Sequence, residues 1–118
     1  MEEKYQCSYE MIQAGDYFGA EVQAFFLPAS HRTEQRFGYR IHSPFTMIIC
    51  NPNLGFAEST IVSDDWIDFY LNLGINVVLW NYRGYSNSTG VPSPAANRRD
   101  VEQVYKWALY QTNLKINN

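Results

Sequence analysis

The stretch from Phe45 to Gly90 constrains the fold of this chain more than any other. It contains two short apolar runs, Phe45-Thr46-Met47-Ile48-Ile49-Cys50 and Ile75-Asn76-Val77-Val78-Leu79-Trp80. Neither run alternates apolar with polar side chains. Strands of that composition are covered on both faces, as in a parallel sheet flanked by helices. Between them, Asn51-Pro52-Asn53-Leu54-Gly55-Phe56-Ala57-Glu58 reads as a loop. The residues to about Leu73 read as a helix, and Gly74 stands just past its end. Asn81-Tyr82-Arg83-Gly84 closes the unit as a turn. The pattern predicts a right-handed βαβ crossover.

The flanks add an antiparallel pair and a last helix. Tyr5, Cys7, Tyr9 and Met11 alternate with Gln6, Ser8 and Glu10, which predicts a strand with one face inward. Glu21 to Leu27 is a second strand, stopped by Pro28, and the two are expected to pair as a hairpin at one sheet edge. Ala29 to Pro44 reads as a long polar loop. In the middle helix, with Ser59 or Ser63 as its cap, the expected core face is Val62, Trp66, Phe69, Tyr70 and Leu73. Asp64, Asp65 and Asp68 fall elsewhere, the paired acids as solvated surface. Tyr85 to Pro92 is rich in turn residues. Ser93-Pro94 then opens the last helix, with Val101, Val104, Tyr105, Ala108 and Leu109 on its inner face.

Composition narrows the functional classes. With 118 residues the chain is one domain. Nine basic residues against twelve acidic ones give a net charge of −3, which offers no nucleic-acid footprint. The one basic cluster is His31, Arg32, Arg36, Arg40 and His42, with Glu34 among them. It reads as a solvated loop, or more sharply as a contact for an anionic headgroup or a partner. Cys7 and Cys50 have no metal-ligand spacing and are expected as buried thiols. No cofactor is expected: neither G-x-G-x-x-G nor G-x-x-x-x-G-K-[ST] is present. The amino terminus carries no apolar leader. No apolar run reaches the ~18 residues of a membrane span. The expectation is a cytoplasmic chain without a transmembrane segment, membrane association being open for a full-length form.

Three motifs carry a resemblance. Ile48-Ile49-Cys50-Asn51-Pro52-Asn53-Leu54-Gly55 looks like a strand followed by His-Gly-Asn-x-Gly. Leu71 to Tyr85 looks like a helix end, a strand and an Asp-Tyr-Arg-Gly-Tyr turn. Ser86-Asn87-Ser88-Thr89-Gly90-Val91-Pro92 looks like the Gly-x-Ser-x-Gly-x-Pro lead into the next helix. Over nearly all its length the chain resembles the amino-terminal half of the α/β-hydrolase superfamily. Gly55-Phe56, Trp80-Asn81 and Gly90-Val91-Pro92 are most similar to its phosphatidylserine-lipase-like branch, with the serine-aminopeptidase-like branch close behind. The fold class this implies is a partial α/β-hydrolase fold: a mostly parallel sheet, an antiparallel amino-terminal hairpin and two helices. Residues 1–118 would be a single partial domain lacking the half with the nucleophile elbow. Two departures stand out. Asn51-Pro52 replaces His-Gly, and Pro52 has a fixed φ and no N–H. Asn81 replaces the family's Asp.

The resemblance also implies where chemistry should sit. Such a hydrolase needs a serine on a strand-to-helix elbow, then an acid, then a histidine, in that order. This chain supplies only part of an oxyanion hole, with the backbone N–H of Asn53 as the candidate donor and Leu54 as its neighbour. The bland alternative is that Asn51 to Gly55 is a tight turn. Ser88 does not fit an elbow, since Val91-Pro92 follows it where a helix should begin. His31 and His42 precede it, against the order of the triad. Arg83 reads as a structural tie, and Arg98, Arg99 and Asp100 as an exposed charged turn. No catalytic residue is therefore assigned within the chain. The expected function is the amino-terminal portion of a serine hydrolase, a lipase-like esterase of acyl esters such as phospholipids or acylglycerols, incomplete by itself. The alternative is a non-catalytic, truncated domain. It would bind a protein partner, or a second copy, through the open sheet edge at Phe45–Cys50. A third reading, an unrelated small α/β binding domain, conflicts with the Tyr-Arg-Gly turn.

Overall fold

A computed structural model of the chain describes residues 7–13, 20–50, 66–83, 88–90 and 93–116. Four strands form one sheet: β1 Ser8–Gln13, β2 Glu21–Leu27, β3 Thr46–Cys50 and β4 Asn76–Trp80. Their spatial order is β1-β2-β4-β3. β1 pairs antiparallel with β2, and β2 with β4, whereas β3 runs parallel to β4. The expected antiparallel pair β1/β2 and parallel pair β3/β4 are both present, but two of the three pairings among the described residues are antiparallel, so the sheet is mixed and not mostly parallel.

Register explains the two-sided core. Phe25, Leu27, Val77 and Leu79 point to one face, where they meet Ile67 and Leu71 of α2, Trp66–Asn72. Val22, Ala24, Phe26, Val78 and Trp80 point to the other, against Val104, Trp107 and Ala108 of α3, Pro94–Ile116. Every residue of β4 is buried. At about 1.5–3 kcal/mol for each large apolar side chain withdrawn from water, these two layers dominate the stability of the fold. α2 ends in a paired hydrogen-bond motif. The N–H of Ile75 reaches the carbonyl of Tyr70 at 3.0 Å, and that of Gly74 reaches Leu71 at 3.0 Å. This end needs φ of +85° at Gly74, which glycine adopts without a Cβ penalty. α3 begins as expected, with Ser93 Oγ accepting the N–H of Ala96 at 3.0 Å.

Several expectations are corrected. Ala29–Pro44 is not all loop, because it contains α1, Ser30–Phe37. No apolar stripe holds this helix. Instead the N–H of Ala29 donates to Asn76 Oδ1 at 2.8 Å, and Arg32 forms an ion pair with Asp68 of α2. The helix count among the described residues is therefore three, not two. The face of α2 is also different. Ile67 and Leu71 are buried, while Phe69 and Leu73 are each 61% exposed. In α3, Val104 and Ala108 face inward as expected. Tyr105 and Leu109 do not; Ala96, Asp100, Trp107 and Thr112 are buried with the core residues. β1 has no buried residue, since only one neighbour covers it. Cys7 is half-buried and Cys50 exposed, where buried thiols were expected; the two form no disulfide. Residues Ser59, Val62, Ser63, Asp64 and Asp65 lie outside the described residues.

Candidate active-site end of the sheet

β3 and β4 run in the same direction, so their carboxyl ends share one end of the sheet. In α/β folds that is where ligands meet loops. Cys50 and Trp80 lie side by side there as register partners. The Trp80 and Tyr82 rings follow with centroids 4.4 Å apart. Burial raises the Tyr82 pKa above its ordinary value of 10.0, and the adjacent Cys50 thiol adds to the shift. The Tyr82 phenol is therefore neutral at neutral pH. Asn53 and Leu54, the candidate oxyanion donors, lie outside the described residues.

A closed polar ring fixes the chain as it leaves β4. The N–H of Asn81 donates to the carbonyl of Gln23 at 2.9 Å, and Asn81 Nδ2 donates to Gln23 Oε1 at 3.1 Å. Gln23 N–H donates to Ser88 Oγ at 2.8 Å, and Ser88 Oγ donates to the Asn81 carbonyl at 2.7 Å. Ser88 is only 5% exposed. Its hydroxyl proton and an oxygen lone pair are thus engaged with backbone, which is the geometry of a loop fastener and not of a nucleophile poised beside a base. Thr89 continues the fastening by exchanging hydrogen bonds with Glu21, at 2.8 and 2.9 Å. Gly90 is needed where it stands: a Cβ there would lie 3.1 Å from Ala20 Cβ and 3.3 Å from Arg83 Cδ.

Arg83 is the structural tie that the sequence suggested, and its partner is one the sequence reading misplaced. Asp100 is fully buried within α3, not in an exposed turn. Arg83 donates to it twice, Nε to Oδ2 at 2.6 Å and Nη2 to Oδ1 at 2.8 Å. Arg98 and Arg99 are exposed as expected, but on the helix. The bidentate pair locks the turn after β4 to the layer behind it. Asp100 had a readable signal: Ala96, Asp100, Val104, Ala108 and Thr112 recur every four residues, one row of a helix.

His31 is far from Ser88. His31 is in the first turn of α1, beyond the end of β2, whereas Ser88 contacts Gln23 near its start. The intervening strand separates them by roughly 13 Å. Among the described residues, no group of three His, Cys, Asp or Glu side chains could hold a metal ion.

No protein-family model matches the chain. Curated relatives do. The phosphatidylserine lipase ABHD16A of Homo sapiens is 34% identical over 65 residues, or 55% of this chain and 11% of the relative, and the protein of the same name in Mus musculus matches equally. Among solved structures, an alpha-beta serine hydrolase homologue from Coxiella burnetii superposes with a TM-score of 0.66 at 19% identity. It covers 90% of this chain and 47% of that one. A serine hydrolase without a lid from Xanthomonas campestris gives 0.61 at 21% identity, covering 90% and 46%. The chain thus matches about one-tenth of the length of those curated relatives and about half of those solved structures. By sequence and by fold, it is related to the α/β-hydrolase superfamily and carries part of that α/β fold.

Proposed function

We propose that the chain is the amino-terminal portion of a serine hydrolase acting on acyl esters, lipid esters foremost, and that it is not catalytically complete by itself. One observation carries this reading: β3, an apolar strand, stands at an edge of the sheet. β3 is as apolar as β4, yet Thr46 to Ile49 are only half-buried and Cys50 is exposed, while β4 is wholly buried. Among the described residues, the second edge of β3 has no strand partner. Beside it, Pro44, Thr46, Ile48, Tyr105, Leu109 and Thr112 help line an open groove of about 140 Å³. That is close to the ~150 Å³ that accepts one benzene-sized group, room for an apolar side chain and not for a lipid ester. The half-length matches to the solved hydrolases and the lipase name of the curated relatives support the same reading.

In this account the backbone N–H of Asn53, with Leu54 beside it, contributes to an oxyanion hole. The Arg83–Asp100 pair and the Ser88 ring stiffen the neighbouring turn. Nucleophile, acid and base come from outside these 118 residues. A serine-directed fluorophosphonate tests the reading. The 118 residues alone are expected to remain unlabelled, and the gene product extended past Asn118 to label on a downstream serine. Labelling of the short chain that disappears in Ser88→Ala contradicts it. The same open edge also supports the second reading, a non-catalytic module that binds a protein partner or a second copy there. An extended product that resists labelling would favour that alternative.

A further inference from the structure

Segment 36–45 runs from the last turn of α1 to the start of β3. It displays four large apolar side chains to water: Phe37 is 54% exposed, Tyr39 61%, Ile41 47% and Phe45 68%. Together they leave on the order of 400 Å² of apolar side-chain surface uncovered, a scale at which exposure marks a contact site. The rings of Phe37 and Tyr39 lie 6.1 Å apart and form one surface. The backbone beneath is braced. The N–H of Ile41 donates to Thr33 Oγ1 at 2.8 Å, and Asn76 Nδ2 donates to the Ser43 carbonyl at 3.0 Å.

Charge points to the occupant. Arg36 and Arg40 are exposed among these rings, and the Arg36 guanidinium lies 5.3 Å from the Phe37 ring centroid. The only acidic residue from Ser30 to Phe45 is Glu34, which is paired with Arg40. The segment is therefore net positive on a chain whose total charge is −3. Aromatic rings interleaved with arginines suit the headgroup layer of an anionic bilayer, where rings seat at the interface and guanidinium groups meet phosphates. Among the described residues no helix is long and apolar enough to cross a membrane, so the contact would be peripheral. The segment lies at the amino ends of β3 and β4, away from Cys50 and Tyr82.

We propose that residues 36–45 form a docking surface for an anionic lipid bilayer, a tether set apart from the catalytic end of the sheet. The test is co-sedimentation of the full chain with vesicles of phosphatidylcholine alone or mixed with phosphatidylglycerol. The expected result is stronger binding to the anionic vesicles, weakened by salt. The R36Q/R40Q variant should lose that preference, by about fivefold per arginine. The F37A/Y39A variant should bind both vesicle types more weakly. The R98Q/R99Q variant makes the same change of charge on α3 and should bind like the parent. All of these side chains are exposed, so unchanged circular dichroism confirms that each variant is folded. Absence of binding to anionic vesicles overturns the proposal. So does equal loss in R98Q/R99Q, or binding that both segment variants leave intact, which would leave a protein partner as the occupant of this surface.

Discussion

Asp100 shows how a single buried charge can hold two layers of this fold together. It is 0% exposed and accepts two hydrogen bonds from Arg83, which is itself 5% exposed. Burying both ions is costly, so the pair adds little net stability over an apolar replacement, but removing one partner strands the other. Asp100→Ala is expected to cost about 3–5 kcal/mol in urea unfolding. The double variant R83M/D100L should recover most of that loss. A cost below ~1 kcal/mol for Asp100→Ala would mean that the turn after β4 is held by something else. Arg83 as a tie was legible in the Tyr-Arg-Gly motif. Its partner was overlooked because three charged residues in a row, Arg98 to Asp100, look like surface unless the four-residue row through Asp100 is read first.

Strands were more legible than helix faces, for a physical reason. Parallel strands lack polar alternation, so the apolar runs of β3 and β4 stand out in sequence. A helix can carry apolar residues on more than the one face that it packs on the sheet. Phe69 on α2, Leu73 just past its end, and Tyr105 and Leu109 on α3 look like core in sequence and are exposed in the structure. Among the described residues, none covers them. α1 went unread for the opposite reason: its anchors are Asn76, Asp68 and the backbone, and no apolar period marks it. A test belongs to α3. Because Tyr105 and Leu109 line the groove beside β3 without filling the core, Y105K/L109K should change the unfolding free energy of the isolated chain by no more than about 0.5 kcal/mol. It should also reduce aggregation, measured by light scattering. A loss of several kcal/mol would show that this face is core after all.

At the scale of the whole molecule, the strand order β1-β2-β4-β3 gives the sheet two edges among the described residues, antiparallel β1 and parallel β3. The β1 edge has no buried residue; the β3 edge is apolar and flanked by exposed aromatic and aliphatic side chains. Solved hydrolases of the same fold are about twice as long as the part this chain matches. The fold was legible because two apolar runs and a glycine-ended helix leave little choice of topology. The chemistry was less legible, since the motif that would carry the nucleophile has no counterpart in the sequence and the oxyanion candidates Asn53 and Leu54 lie outside the described residues. Reading the native transcript past the codon for Asn118 tests the central claim most directly. The account predicts that it continues into an apolar strand and a Gly-x-Ser-x-Gly turn, with a histidine further on. A stop codon in that place would contradict it, and would leave the open edge of β3 as a binding surface for another protein.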